Sequence, residues 1–331
     1  MLFGYVAAVL TGFLLTAIPN WTGRLPLQGT PLLVLVMAWV AGRSAVAWSA
    51  PLGWLTAALV DCAFLLLVVL AAAREIIAGQ NWRNLKVLGP VCMLMLANIG
   101  FHAEAHVFGL AEVSIRVAIA AILILIMLIG GRIVPSFTRN WLSRENPGRL
   151  PLPFGRFDMV SIAVSAAALC LWVVIPEDPW TGMALCVGGV LQCVRLARWA
   201  GERTARERLV LILHLAYAFV PLGFALSALA AFGIIPQSAG LHAWMAGAAG
   251  TMTLAVMTRA SLGHTGHELV AGSGTQAIYA AVVVAACARV VGALIPAWTL
   301  VLLHVAALAW IAAFAGFAVL YAPVLFRWRR G

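Results

Sequence analysis

The chain has 331 residues, 64% of them hydrophobic and 10% charged, with a mean hydropathy of +1.02. Soluble domains are typically about 45–50% apolar and about 25% charged, so a soluble fold is effectively excluded and a chain that lives in lipid is expected. The formal net charge of +10 would suggest nucleic acid in a soluble protein, but here the arginines sit in short connections between long apolar runs, which reads as membrane topology and headgroup contact and not as nucleic-acid binding.

A helix advances about 1.5 Å per residue, so about 20 mostly apolar residues cross a hydrocarbon core of about 30 Å. By that measure eleven spans are predicted, near 1–18, 31–49, 52–73, 87–108, 111–131, 158–175, 180–199, 208–230, 239–258, 273–295 and 297–321. Backbone polar groups in lipid must be satisfied within the segment, and the runs are too long for barrel strands. The expected fold is therefore all-α, a polytopic transmembrane helical bundle forming one membrane domain over residues 1–331.

The connections alternate in charge along the chain. The first basic one, 74–86, carries Arg74, Arg83 and Lys86. The longest, 132–157, carries Arg132, Arg139, Arg144, Arg149 and Arg156, and its Pro147, Pro151 and Pro153 argue against structure of its own. The 195–208 connection holds five arginines, and the chain ends Arg327-Trp-Arg329-Arg330. Between these lie connections without Lys or Arg, such as 176–179 and 232–237. All basic residues but Arg43, Arg116 and Arg289 fall on one side, 18 of 21. Lys and Arg accumulate in cytoplasmic loops, so 132–157 is read as a cytoplasmic loop and the C-terminus as cytoplasmic. Eleven spans then put Met1 outside, where it opens directly into an apolar run, and an upstream helix is expected to be missing.

Polar residues inside such spans are costly and point to function. In the fourth span Asn98, His102 and His106 are four residues apart and share one helix face. Glu104 points elsewhere, towards a neighbouring ligand or Arg116. His242 opens the ninth span with Met245 one turn later, and His304 lies eight residues into the last span from Pro296. These four histidines converge on the depth opposite the basic loops. Imidazole suits iron and copper, and a thioether suits Cu(I), so His102, His106, His242 and His304 are candidate metal ligands. Each has a plainer reading as a solvated or helix-packing histidine.

Arg43, Arg116 and Arg289 break the charge rule in the same half. Each can snorkel to headgroups; together they can clamp an anionic group such as a haem propionate. Asp61, near the middle of the third span, is expected to be protonated, paired with an arginine such as Arg289, or part of a proton path. His214 in the eighth span is a proton-relay or packing residue. His264 and His267, in a Gly-rich loop near Arg259, read first as solvated and second as an anion site. The six cysteines fall in spans without a CxxC pair, and no disulfide framework is indicated.

Three strings are distinctive: Met1-Leu-Phe-Gly-Tyr5, GFLLTAIPNWTGR from Gly12 to Arg24, and GTMTLAVMTRASLGHTG from Gly250 to Gly266. With the succession of spans, they resemble the NnrS family of bacterial membrane proteins, associated with nitric oxide stress and denitrification. The resemblance covers the whole chain. It implies a twelve-span protein of the inner membrane that binds haem and copper and lowers sensitivity to nitric oxide or derived nitrosyl species. Family members continue upstream with another helix and a short His-Glu segment that this chain lacks. At residue level the resemblance reaches His264 and the loop around Arg259. Two other classes stay open: a secondary transporter for a metal–nitrosyl species or small anion, using Asp61, Asn98 and His214, and a redox enzyme reducing nitric oxide.

Overall fold

Two of the apolar runs stop where glycine enters left-handed backbone, and two helices open on proline, which fixes φ. The helix Leu2–Thr22 ends at Gly23 with φ 70°, and Leu85–Phe108 ends at Gly109 with φ 76°, a conformation that only glycine adopts without cost. Pro31 opens a second helix and Pro179 another, each at a position whose N–H has no helical partner.

A computed structural model describes residues 1–326; the terminal cluster Arg327, Arg329 and Arg330 lies outside the described residues. It is 85% helical, with no strand among the described residues. The helices are α1 Leu2–Thr22, α2 Thr30–Ala47, α3 Trp54–Ala78, α4 Leu85–Phe108, α5 Glu112–Glu145, α6 Arg156–Val174, α7 Pro179–Ala197, α8 Arg208–Ala231, α9 237–264, α10 Ser273–Leu294 and α11 Pro296–Phe326. Ten of them are long and apolar enough to cross a membrane. The other, α9, occupies the ninth predicted span but is built in three pieces: Gln237–His242, a π-helical stretch Ala243–Gly250, and Thr251–His264. An all-α polytopic bundle is what the length of the apolar runs predicts.

The chain forms two compact units, Met1–Leu125 and Ile126–Gly331, divided inside α5. In the first, α3 packs against α1, α2 and α4, and α4 packs against the first half of α5. In the second, α8 is the central helix, packed on α7 and α9, while α6 lies on α7 and α10 on α11. Small residues permit these approaches. A Cβ at Gly188 would lie 3.0 Å from the Phe224 ring, so α7 and α8 meet over that glycine.

The 132–157 segment departs from the prediction. Its first half continues α5 as far as Glu145. Val134, Thr138 and Leu142, four apart, are buried while Arg139 and Arg144 are exposed, an amphipathic pattern that burial of one face supports as helix. Pro135 is accommodated within this helix, and Pro147, Pro151 and Pro153 come after Glu145. Residues 146–155 are irregular, and there Arg139 donates to the Pro151 carbonyl at 2.6 Å.

Candidate functional site

In the first unit the polar stripe on α4 meets a buried ion pair. Asp61 on α3, 4% exposed, receives the guanidinium of Arg43 on α2 through Oδ1. Its Oδ2 lies 3.0 Å from His102 Nε2 on α4. The approach of α2 depends on Gly42, where a Cβ would sit 2.9 Å from Asp61 Oδ1 and 3.1 Å from the Asp61 Cα. An ionised carboxylate only accepts, so His102 carries its proton on Nε2 and keeps a lone pair on Nδ1. Asp61 thus pairs with Arg43 and not with Arg289, because Arg43 lies on the helix that packs against α3.

One turn before His102, Asn98 is 1% exposed, and neither its carbonyl nor its amide nitrogen has a partner. Arg43 Nε is also buried without one. The cluster therefore holds unsatisfied polar atoms, which native interiors rarely leave without a role. His106 lies apart from it, stacked on Trp54 with ring centroids 4.1 Å apart and planes 12° from parallel. Glu104 caps the start of α5: it accepts from Val113 N–H at 2.9 Å, Ser114 N–H at 2.8 Å and the Ser114 hydroxyl at 2.6 Å. Arg116 pairs within its own helix with Glu112, at 3.6 Å.

In the second unit, Arg289 Nη2 on α10 lies 2.9 Å from His242 Nε2 on α9. A guanidinium only donates, so His242 Nε2 accepts, its proton is on Nδ1, and in this arrangement it offers no lone pair to a metal. Met245 follows within the π-helical stretch, a local form that recurs at functional sites. His304 on α11 is exposed, and its Nδ1–H donates to the Leu300 carbonyl at 2.7 Å, leaving the Nε2 lone pair free.

His214 is buried and donates from Nε2 to Thr138 Oγ1 at 2.8 Å, since that hydroxyl gives its own proton to the Val134 carbonyl. Its Nδ1 is buried without a partner beside Gly201. Arg259 stacks over Phe137 at 4.1 Å, and His264 and His267 are exposed. Near Arg259, burial pushes the Glu207 carboxyl above its ordinary value, opposed by the Leu209 N–H bond and by Arg259.

One buried network lies outside the predicted site residues. Arg195 is fully buried at the end of α7, where the sequence reading placed a basic loop. Its Nε donates to Asp158 Oδ1 at 2.9 Å, and Nη1 donates to the Met127 carbonyl at 2.9 Å and to Tyr217 Oη at 2.8 Å. Tyr217 in turn donates to Gln192, which donates to Ser165 at 2.9 Å. The π-helical turn Ile126–Gly130 breaks the helical bonding there and contains the Met127 carbonyl. Gly131 leaves room for the guanidinium: a Cβ there would overlap Nη2. The signal was present in the spacing of Asp158, Ser161 and Ser165 on one face of α6.

Among the described residues, no group of three or more His, Cys, Asp or Glu is placed to hold a metal ion. No copper centre built from three such side chains is preassembled among the described residues. A haem axial ligand needs only one oriented imidazole. His102 and His304 both fit that requirement, each with one ring nitrogen held by an oxygen acceptor and the other free.

No curated protein and no solved structure matches this chain. A family model described as NnrS protein matches residues 1–329. With that match across nearly its whole length, the chain belongs to the NnrS family.

Proposed function

We propose that this protein is a haem-binding integral membrane protein of the nitric oxide response, held in the inner membrane of a bacterium with its C-terminus cytoplasmic. Family membership supports the nitric oxide response and the apolar helices support the bilayer. The observation that carries the haem reading is the Asp61–His102 contact at 3.0 Å. Metal-bound histidines almost always give their second N–H to a carboxylate or carbonyl, which sets the tautomer and raises ligand basicity. In the second unit His304, donating to the Leu300 carbonyl, is a separate candidate ligand. His106 in the first unit and Met245 in the second have no such second contact and are not assigned as ligands.

Haem, if bound, would supply an iron that can take nitric oxide, and His102 or His304 would hold it. The protein's part is orientation. Arg43 holds the Asp61 carboxylate, Asp61 holds the His102 ring, and the buried Asn98 amide one turn away offers a free donor and a free acceptor to a polar group beside it.

The test is the visible absorption spectrum and extracted-haem content of the full-length protein in membranes. His102→Ala and His304→Ala are each expected to remove or shift the Soret band with membrane insertion intact. His267→Ala, in the exposed loop, is expected to leave it unchanged. Unaltered spectra in both of the first two variants would defeat the assignment.

A further inference from the structure

Three arginines sit in the spans away from the basic connections, and the structure separates them. Arg43 is neutralised by Asp61 and Arg116 by Glu112. Arg289 forms no ion pair among the described residues; its hydrogen bond goes to the neutral imidazole of His242. An arginine in an apolar helix almost always finds a counter-charge or a polar partner, because an unneutralised guanidinium there is expensive. An imidazole removes none of the charge.

The same bond determines what His242 presents. Because Nε2 accepts from Arg289, the imidazole proton is on Nδ1, and the pair offers donors of two kinds: the remaining guanidinium N–H groups and the His242 Nδ1–H. Both residues are half-buried. Arg289 lies five residues before the end of α10 at Leu294, and His242 five after the start of α9 at Gln237. By helical rise each lies about 7.5 Å from the nearer end of its helix, a distance that a lipid headgroup or a small soluble anion can span. The guanidinium fork matches the two oxygens of a carboxylate or phosphate.

We propose that Arg289 and His242 form an oxyanion-binding site in the second unit, which takes a carboxylate or phosphate group and supplies the counter-charge that Arg289 lacks. The site does not depend on the His102 or His304 assignment, since neither Arg289 nor His242 is a proposed haem ligand.

The experiment uses the full chain in a maltoside detergent, stripped of phospholipid and held at constant ionic strength. Its thermal unfolding midpoint is followed by tryptophan fluorescence while inorganic phosphate, acetate or phosphatidylglycerol in mixed micelles is titrated. A saturable rise of several degrees is expected in wild type and its loss in Arg289→Gln. Arg289→Lys and His242→Ala are each expected to require roughly tenfold more anion, because one loses the fork and the other a donor. A response to phosphatidylglycerol alone assigns the site to lipid headgroups. A response to phosphate or acetate alone assigns it to soluble anions, and mutual competition assigns one site open to both. No saturable shift with any probe, or a shift that survives in Arg289→Gln, would overturn the proposal. Should Arg289→Gln fail to fold, unchanged affinities in both Arg289→Lys and His242→Ala would overturn it equally.

Discussion

Replacing Asp61 with asparagine tests the first unit most directly. The substitution keeps the shape and an acceptor oxygen for His102 Nε2–H but removes the charge that Arg43 faces. Breaking a buried ion pair from one side costs about 3–5 kcal/mol, because the surviving charge is left uncompensated. Asp61 is 4% exposed but the Arg43 side chain is 31% exposed, so solvent reaches one partner and the expected loss falls to about 2–3 kcal/mol. In Arg43→Gln with Asp61→Asn the stranded charge is gone. The double variant is then expected to be more stable than the sum of the singles by about 1.5–3 kcal/mol. Equilibrium unfolding in mixed micelles, followed by tryptophan fluorescence, measures all four proteins. The haem reading adds a second readout: altering the group behind a ligating histidine lowers metal affinity by about 10–100-fold, and the neutral amide keeps the acceptor but not the charge, so Asp61→Asn should retain haem less well even when folded. Additivity of the two substitutions within about 0.5 kcal/mol would refute the coupled pair.

Four further outcomes are expected. Gly131→Ala should destabilise the protein by at least about 1–3 kcal/mol, as overpacking does, because the guanidinium it meets is held by Asp158, Met127 and Tyr217; Gly12→Ala, with nothing near its Cβ, should be neutral or stabilising in the same unfolding assay. Tyr217→Phe should lower stability by about 1–3 kcal/mol, since it leaves Gln192 Oε1 without its buried donor. Burial raises the Glu202 carboxyl, but the Arg149 hydrogen bond and the charges of Arg149 and Arg203 outweigh it and hold it below its ordinary value. Its stabilisation is therefore present above the unfolded-state pKa and lost as pH falls through the lower folded-state one, and limited proteolysis within 146–155 should rise over that acid window in wild type but show no such step in Glu202→Gln. Reporter fusions after residues 150 and 178 should give opposite topology readouts, and matching readouts would overturn the proposed orientation.

The helices were legible because apolar run length and glycine or proline punctuation are local signals. Side-chain partners are not local. The stripe Asn98–His102–His106 follows from a spacing of four, yet which residue meets it depends on Gly42 letting α2 approach α3, and that brings Arg43 to Asp61 where the sequence suggested Arg289. Arg195 was hidden for a similar reason. Counted by charge it belongs to a basic connection, and only the packing of α6, α7 and the π-helical turn at Ile126–Gly130 turns it inward. The helix beyond residue 131 was missed because the prolines at 147, 151 and 153 weighed more than the buried face of Val134, Thr138 and Leu142.

The pairing of Asp61 also weighs between the two main functional readings. A carboxylate that couples transport to a proton must load and release it, and so needs a partner that gives way. Asp61 instead bridges a guanidinium, which does not deprotonate, and an imidazole whose ring it orients. That is the arrangement of a positioning group. If the protein moves an anion, the residues to examine are Arg289 and His242, where donors outnumber acceptors and no carboxylate is paired. Vesicle flux separates the cases. Proton-coupled flux that vanishes in Asp61→Asn, with the protein folded and inserted, would favour transport through the first unit and displace the haem reading. Flux that survives Asp61→Asn but vanishes in Arg289→Gln would make the oxyanion site a transport site. No flux in wild type, with a Soret band that depends on His102, would leave Asp61 as the group that orients a haem ligand.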